Sequence, residues 1–425
     1  MLLLLKNVRL ITAEGESTAR QDLLIRDGII EKAGVGLSAE PGAVVWDFPN
    51  ACVSPGWFDL GIQTGDPGFE HREDLLSAMR AAAAGGFTAV ASFPNTQPAI
   101  HAKTEVQYVL NKTAGSAVRV FPVGAISQDA AGKDLAELYD MHAAGAIAFS
   151  DGAAPVQDAG LLLRALQYSQ AFNGLIINHP HHKTIAAGGQ LHEGLVSTSL
   201  GMKGIPSLAE EIMLQRDLSL LEYAGGRLLV HLVSSRKSVD LLRRAKAAGL
   251  DVSASVSLLN LCFTDEQMSG AQAFDSNWKV LPPLRGEADR AALLEGLADG
   301  TLDLVCTNHS PWDQEAKNLE FPYADFGMIG LQTAFPLWQT QLGSRLTPAD
   351  FVRVFAVAPR RVLGLPLPEI RVGERAELTV FDPEAPFELR ESDILSKSKN
   401  TPFSGRPMRG KVLGIVSGAQ ALTSR

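Results

Sequence analysis

The sequence predicts an α/β protein: a (β/α)8 TIM-type barrel with a small β-sandwich built from the N- and C-terminal segments. Three observations carry this. After Ser54-Pro55-Gly56, short and almost wholly apolar runs alternate with helical segments, the pattern of a parallel sheet covered by helices. The first 55 residues and the last 60 or so read as strands and turns with no long amphipathic helix. A chain of 425 residues also suits a barrel of roughly 250–300 residues plus a smaller module. The expected division is 1–55 for the N-terminal part of the sandwich, 56–364 for the barrel and 365–425 for the C-terminal part.

Each element has its own warrant. Leu2–Thr12, Asp22–Arg26, Ile29–Lys32 and Val44–Phe48 are strand-like, and Asp27-Gly28 between two apolar runs is a hairpin signal. In the barrel, strands are expected at Ala89–Phe93, Val118–Gly124, Ala146–Phe149, Leu175–Asn178, Arg227–Val233, Asp251–Val256 and Leu302–Thr307. Helices are expected near Lys103–Lys112, Leu135–Ala144, Gly160–Phe172, Ser207–Tyr223 and Val239–Ala248. About eight strand–helix units fit a closed barrel. A doubly wound open sheet fits less well, because no glycine-rich phosphate turn follows the first strand. Strand character returns at Glu377–Phe381 and Gly410–Ser417, with turns at Asp382-Pro383 and Gly405-Arg406-Pro407.

Composition narrows the function. A net charge of −9 disfavours nucleic acid and anionic membranes as partners. Cys52, Cys262 and Cys306 form no CxxC pair, which fits a reducing cytoplasm and offers no thiolate metal site. The apolar start, Met1–Leu5, is too short to span a bilayer and lacks the features of a signal peptide, so it reads as a buried strand.

Functional residues of such barrels sit at the C-terminal ends of the strands. The first barrel strand runs into Gly56-Trp57-Phe58-Asp59-Leu60-Gly61-Ile62-Gln63-Thr64-Gly65-Asp66-Pro67-Gly68. This resembles the PGFIDxHxHxRxPG signature of dihydroorotases, members of the amidohydrolase superfamily. Further pieces follow in family order: Phe93-Pro94-Asn95-Thr96, Ala148–Gly152, Leu191-His192-Glu193-Gly194, Ala209-Glu210-Glu211, Lys279 with Pro282–Arg285, and Phe326-Gly327 with Gly330-Leu331. The resemblance covers essentially the whole chain. It implies a hydrolase of pyrimidine synthesis in which two divalent metals, usually zinc, share a nucleophilic hydroxide. It also implies a homodimer.

Residue by residue, the resemblance implies a metal centre largely erased. The HxH pair is Gly61 and Gln63, and the substrate-gripping arginine is Gly65. The metal-bridging position is Asp151 and the next ligand is His179, two remnants. The following ligand aligns with Leu232. His231 is one residue away, and adjacent strand residues face opposite sides, so it is expected to pack between barrel and helices. The catalytic aspartate of the family's DHAPH motif is Asn308, which cannot shuttle a proton at neutral pH. Asn95 and His309 match substrate-contacting positions, Leu281 replaces the asparagine of KVNPPLR, and the PHH stretch reads Leu258-Leu259-Asn260. The bland alternatives are turn chemistry for Asp151-Gly152, a solvated loop for His179, His181 and His182, and loop capping for Asn95 and His309.

The expectation is therefore a dihydroorotase-like pseudoenzyme with no cofactor, zinc being the metal if one is held. It would act by assembly, for example with aspartate carbamoyltransferase, as metal-less family members are thought to do. Two alternatives stand beside it. One is an active dihydroorotase, hydantoinase or allantoinase with an altered or mononuclear site built from Asp151, His179 and His309 or His181. The other is a metal-free small-molecule binder whose mouth is made apolar by Leu232, Leu258, Leu259, Leu281 and Trp312.

Overall fold

The computed structural model describes residues 1–424. The N-terminal strands are β1 (Leu2–Thr12), β2 (Gly15–Arg26), β3 (Ile29–Gly34), β4 (Val44–Trp46) and β5 (Cys52–Pro55). The barrel begins with β6 (Trp57–Ile62), β7 (Phe87–Ser92), β8 (Arg119–Gly124), β9 (Ala148–Phe149) and β10 (Leu175–Asn178). A two-stranded outer ribbon, β11 (Leu191–His192) and β12 (Gly204–Ile205), interrupts it. The barrel then resumes with β13 (Arg227–Val230), β14 (Val252–Ser257) and β15 (Leu304–Cys306). The C-terminal strands are β16 (Glu377–Glu388), β17 (Pro407–Ser417) and β18 (Gln420–Thr423).

The barrel sheet is parallel and runs β6-β7-β8-β9-β10-β13-β14-β15. Its ends meet: Gln63 N–H donates to the His309 carbonyl at 2.9 Å, and Thr307 N–H donates to Asp59 Oδ1 at 3.0 Å. Strand alternation divides the side chains into two sets. Phe58, Leu60, Ala89, Ala91, Val123, Ala148, Leu175, Ile177, Leu229, Leu304 and Cys306 fill the interior. Trp57, Val90, Phe149, Ile176, Leu228, Val230 and Val305 pack outward under the helices.

The terminal segments share one sheet of eight strands, joined where β5 pairs antiparallel with β16. It curls around its own core of Leu3, Leu5, Leu23, Ile25, Trp46, Val53, Leu378 and Val416. Trp57 seals the seam to the barrel. It is fully buried among Phe87, Phe335, Phe351 and Phe381, and its indole N–H donates to Ser54 Oγ at 2.9 Å.

Most expected strands and helices stand within a few residues of their places. The helix expected from Leu135 starts at Leu138, because Leu135 bridges to Ser127 and Ala136 N–H goes to the Ile126 carbonyl. No helix among the described residues is long and apolar enough to cross a membrane.

Candidate active site at the barrel mouth

The C-terminal ends of the strands enclose a cavity of about 220 Å³, lined among others by Gly61, Gln63, His179, Leu232 and Asn308. Five positions identified in the sequence therefore do converge. Their backbone explains how. β6 breaks its register with β7 between Leu60 and Ile62, and Gly61 at the break has φ +103°, a conformation disfavoured for any residue with a Cβ. A Cβ there would stand 2.7 Å from Phe93 Cε2 and 2.9 Å from His231 Cε1. Those two rings pack edge to face, 5.0 Å between centroids, across the place where a side chain at position 61 would go. Position 65 is closed as well: Gly65 has φ +69°, and a Cβ would meet the Phe69 carbonyl oxygen at 2.7 Å.

His231 requires a correction. It lines the mouth rather than packing between barrel and helices. Leu229 faces the interior, so alternation carries His231 inward too. The next residue, Leu232, has left-handed backbone (φ +60°) and also turns its side chain inward. The face-flipping rule holds on a regular strand, but β13 ends at Val230. The hint in the sequence was the extra residue in His231-Leu232-Val233-Ser234; nothing in a leucine announces a positive φ.

The other candidate residues turn away. Asp151 is buried, with Ser127 N–H on Oδ1 at 2.9 Å and the Ser127 hydroxyl on Oδ2 at 2.5 Å, and burial raises its pKa. It is 1% exposed and does not line the cavity. Asn95 clamps the same loop, donating to the Asp151 carbonyl at 2.9 Å and accepting from Ala153 N–H at 2.8 Å. His309 is corrected likewise. It is 1% exposed, accepts the Gly330 N–H on Nδ1 at 3.1 Å and points Nε2 at Glu73 Oε2, 3.7 Å away, so it has no face on the cavity. Among the described residues, no group of three or more His, Cys, Asp and Glu could hold a metal ion.

Apart from Asp325, what remains at the mouth is uncharged. His179 donates from Nδ1 to the His231 carbonyl at 3.0 Å, and burial lowers its pKa. Burial lowers that of His231 to about 3. Asn308 has φ +56°, which asparagine tolerates, and donates Nδ2–H to the Leu281 carbonyl at 3.0 Å. Trp312 and Phe326 form an aromatic wall, with Trp312 Nε1–H on the Phe326 carbonyl at 2.9 Å.

Fold and mouth together define a closed parallel α/β barrel with a cavity at the C-terminal ends of its strands. The L-hydantoinase (dihydropyrimidinase) from Arthrobacter aurescens has this fold, superposing with a TM-score of 0.84 at 24% identity over 100% of this chain and 96% of that one. The particular family follows from sequence. A family model described as dihydro-orotase-like matches residues 51–238. The dihydroorotase of Pelotomaculum thermopropionicum is 41% identical over 99% of this chain and 98% of its own length. That of Geobacter sp. strain M21 is 37% identical over 99% of both. The chain belongs to the dihydroorotase-like family.

Proposed function

We propose that this chain is a non-hydrolytic member of the dihydroorotase-like family, serving pyrimidine synthesis as a scaffold rather than as a catalyst. The observation that carries the proposal is the closed place at position 61. Phe93 and His231 occupy the space a ligating side chain would need, and the backbone there tolerates little but glycine. Zinc needs three or four ligands held tightly. The mouth offers two imidazoles, two amides and the Asp325 carboxylate, and the one nearby carboxylate of the expected ligand set is engaged by Ser127. These residues do not fit a dinuclear zinc centre.

The fold, by contrast, is retained over its whole length, including the terminal sheet and its Trp57 seam. A scaffold kept without its chemistry fits a role in assembly, and aspartate carbamoyltransferase is the partner we propose. The test is direct. Protein purified without an affinity tag and dialysed against trace zinc should hold well under one metal per chain and leave dihydroorotate unchanged. It should also co-elute with a carbamoyltransferase from the same cell. One or two tightly held metals with turnover of dihydroorotate would overturn the catalytic half of the proposal. A solitary chain that ignores the carbamoyltransferase would overturn the other half.

A further inference from the structure

A second cavity, of about 670 Å³, lies away from the mouth and shares no residue with it. It runs between the C-terminal half of the helix Leu75–Ala84 and the arm in which β16 pairs with β17 beyond Asp382. Its size is ordinary for a small-molecule site. The floor is apolar: Ala83, Leu389 and Val412 are buried in the main core, and Phe387 packs half-buried against that core. Both edges are tied down. Gln332 donates Nε2–H to the Asp393 carbonyl at 2.9 Å and accepts the Leu395 N–H on Oε1 at 2.7 Å. Ser424 donates its N–H to the Leu413 carbonyl at 2.9 Å and its hydroxyl to the Ala84 carbonyl at 3.3 Å.

The lining also carries charged side chains of both signs that form no ion pair among the described residues. Arg80, Arg390 and Lys411 have neither a salt bridge nor a side-chain hydrogen bond there, although Arg409 on the same arm pairs with Glu384. Glu388 and Asp393 have no ion pair either, and Asp393 accepts only the Ser392 hydroxyl, at 3.1 Å. Together these groups select three features in one ligand. Two guanidinium forks and an ammonium match the oxygens of a phosphate chain. Ionised carboxylates only accept, so they call for hydroxyl donors, as the acidic residue of a dinucleotide fold does for ribose. The apolar floor, with the Phe387 ring in its wall, suits a flat heterocycle. A bare inorganic anion leaves the floor and the carboxylates unused. A fatty acid offers the carboxylates no donor.

We propose that this cavity is a nucleotide site, taking a nucleoside triphosphate. The phosphate chain is met by Arg80, Arg390 and Lys411, the ribose hydroxyls donate to Glu388 and Asp393, and the base lies over the apolar floor beside Phe387. The proposal stands apart from the metal-free reading, because none of these residues lines the mouth.

The experiment is calorimetric titration of the full chain, free of divalent metal, at about 0.15 M salt, where exposed charges are screened beyond about 8 Å. ATP and UTP are the probes; adenosine, uridine and inorganic tripolyphosphate are the controls. At least one of the two nucleotides is expected to bind at least about tenfold tighter than its nucleoside and than tripolyphosphate. Arg80 and Arg390 are both exposed, so the double reversal Arg80→Glu with Arg390→Glu should leave the thermal melt cooperative. It should weaken the nucleotide at least about tenfold. Should that variant fail to fold, hydrogen exchange of the wild-type chain supplies an independent readout. Bound nucleotide should protect residues 80–84, 386–395 and 420–424. The absence of binding by either nucleotide overturns the proposal. So does tripolyphosphate binding as tightly as the nucleotides, which marks a basic patch and no more. Undiminished binding by the folded double variant, or protection confined to the barrel mouth, overturns it as well.

Discussion

At the residue scale, Gly61 decides what the mouth can be. Its positive φ and the rings of Phe93 and His231 leave no place for a Cβ. Reinstating the family's histidine by Gly61→His should therefore destabilise the fold by about 2–4 kcal/mol, from backbone strain plus overpacking. It should recruit no zinc. Urea denaturation and metal analysis of the variant check both halves, and a stable variant that binds zinc would mean the mouth is far more plastic than its packing indicates. Glu73 makes a second residue-scale case. It is fully buried, faces His309 and accepts from the hydroxyls of Ser77 and Ser396, and these partners together lower its pKa despite burial. Glu73→Gln removes the charge these partners converge on and should cost roughly 1–3 kcal/mol, read from the same denaturation curves. Positions 61, 63 and 308 were legible in the sequence because they sit in a motif at a strand end. The orientations of Asp151 and His309 were not, because Ser127 and Glu73, which turn them, lie far away along the chain.

At the element scale, the strands follow from apolar runs and the helices from their caps. The helix Leu75–Ala84 starts where the Asp74 carboxylate accepts the Ser77 N–H at 2.7 Å and Ser77 Oγ in return accepts the Asp74 N–H at 3.1 Å. The union of the two ends of the chain depends on β5 pairing with β16 and on Trp57 beneath that seam. Trp57→Ala empties a fully buried indole site and should cost roughly 3–5 kcal/mol. Trp57→Phe keeps the aromatic cluster, loses the bond to Ser54, and should cost distinctly less. Equal losses for the two variants would show that the hydrogen bond, not the packing, holds the seam.

Across the whole molecule, burial sets the pH response. Burial lowers His181 and His231 to about 3 and His192 to about 4, against an ordinary 6.5. Their folded pKa values lie below the unfolded one, so their contribution is complete above about 6.5 and is lost as pH falls toward 3. Asp59, raised to about 6 by burial, acts in the opposite sense: its charge costs stability above 6, and acid relieves that cost. His179 shifts with these histidines and Asp151, Asp217, Asp265 and Asp303 shift with Asp59, while carboxylates held low by their partners, Glu73 and Asp74 among them, add to the loss in acid; the urea midpoint is expected to be level near neutrality and to fall between pH 6 and 4. A midpoint that rose over that range would contradict the burial of these histidines as neutral rings.

The barrel, the strand-rich ends and the family are legible in the chain alone, because periodicity, turn residues and ordered motifs are local properties. So are the residue types that stand at the ligand positions. Which side chains reach the mouth depends on packing between distant segments. Closing the barrel from β6 to β15, breaking β6 at Gly61 and turning Leu232 left-handed brought His231 in, and hydrogen bonds made across the fold drew Asp151 and His309 away. A side chain's direction is set by such distant partners, and no local pattern records them.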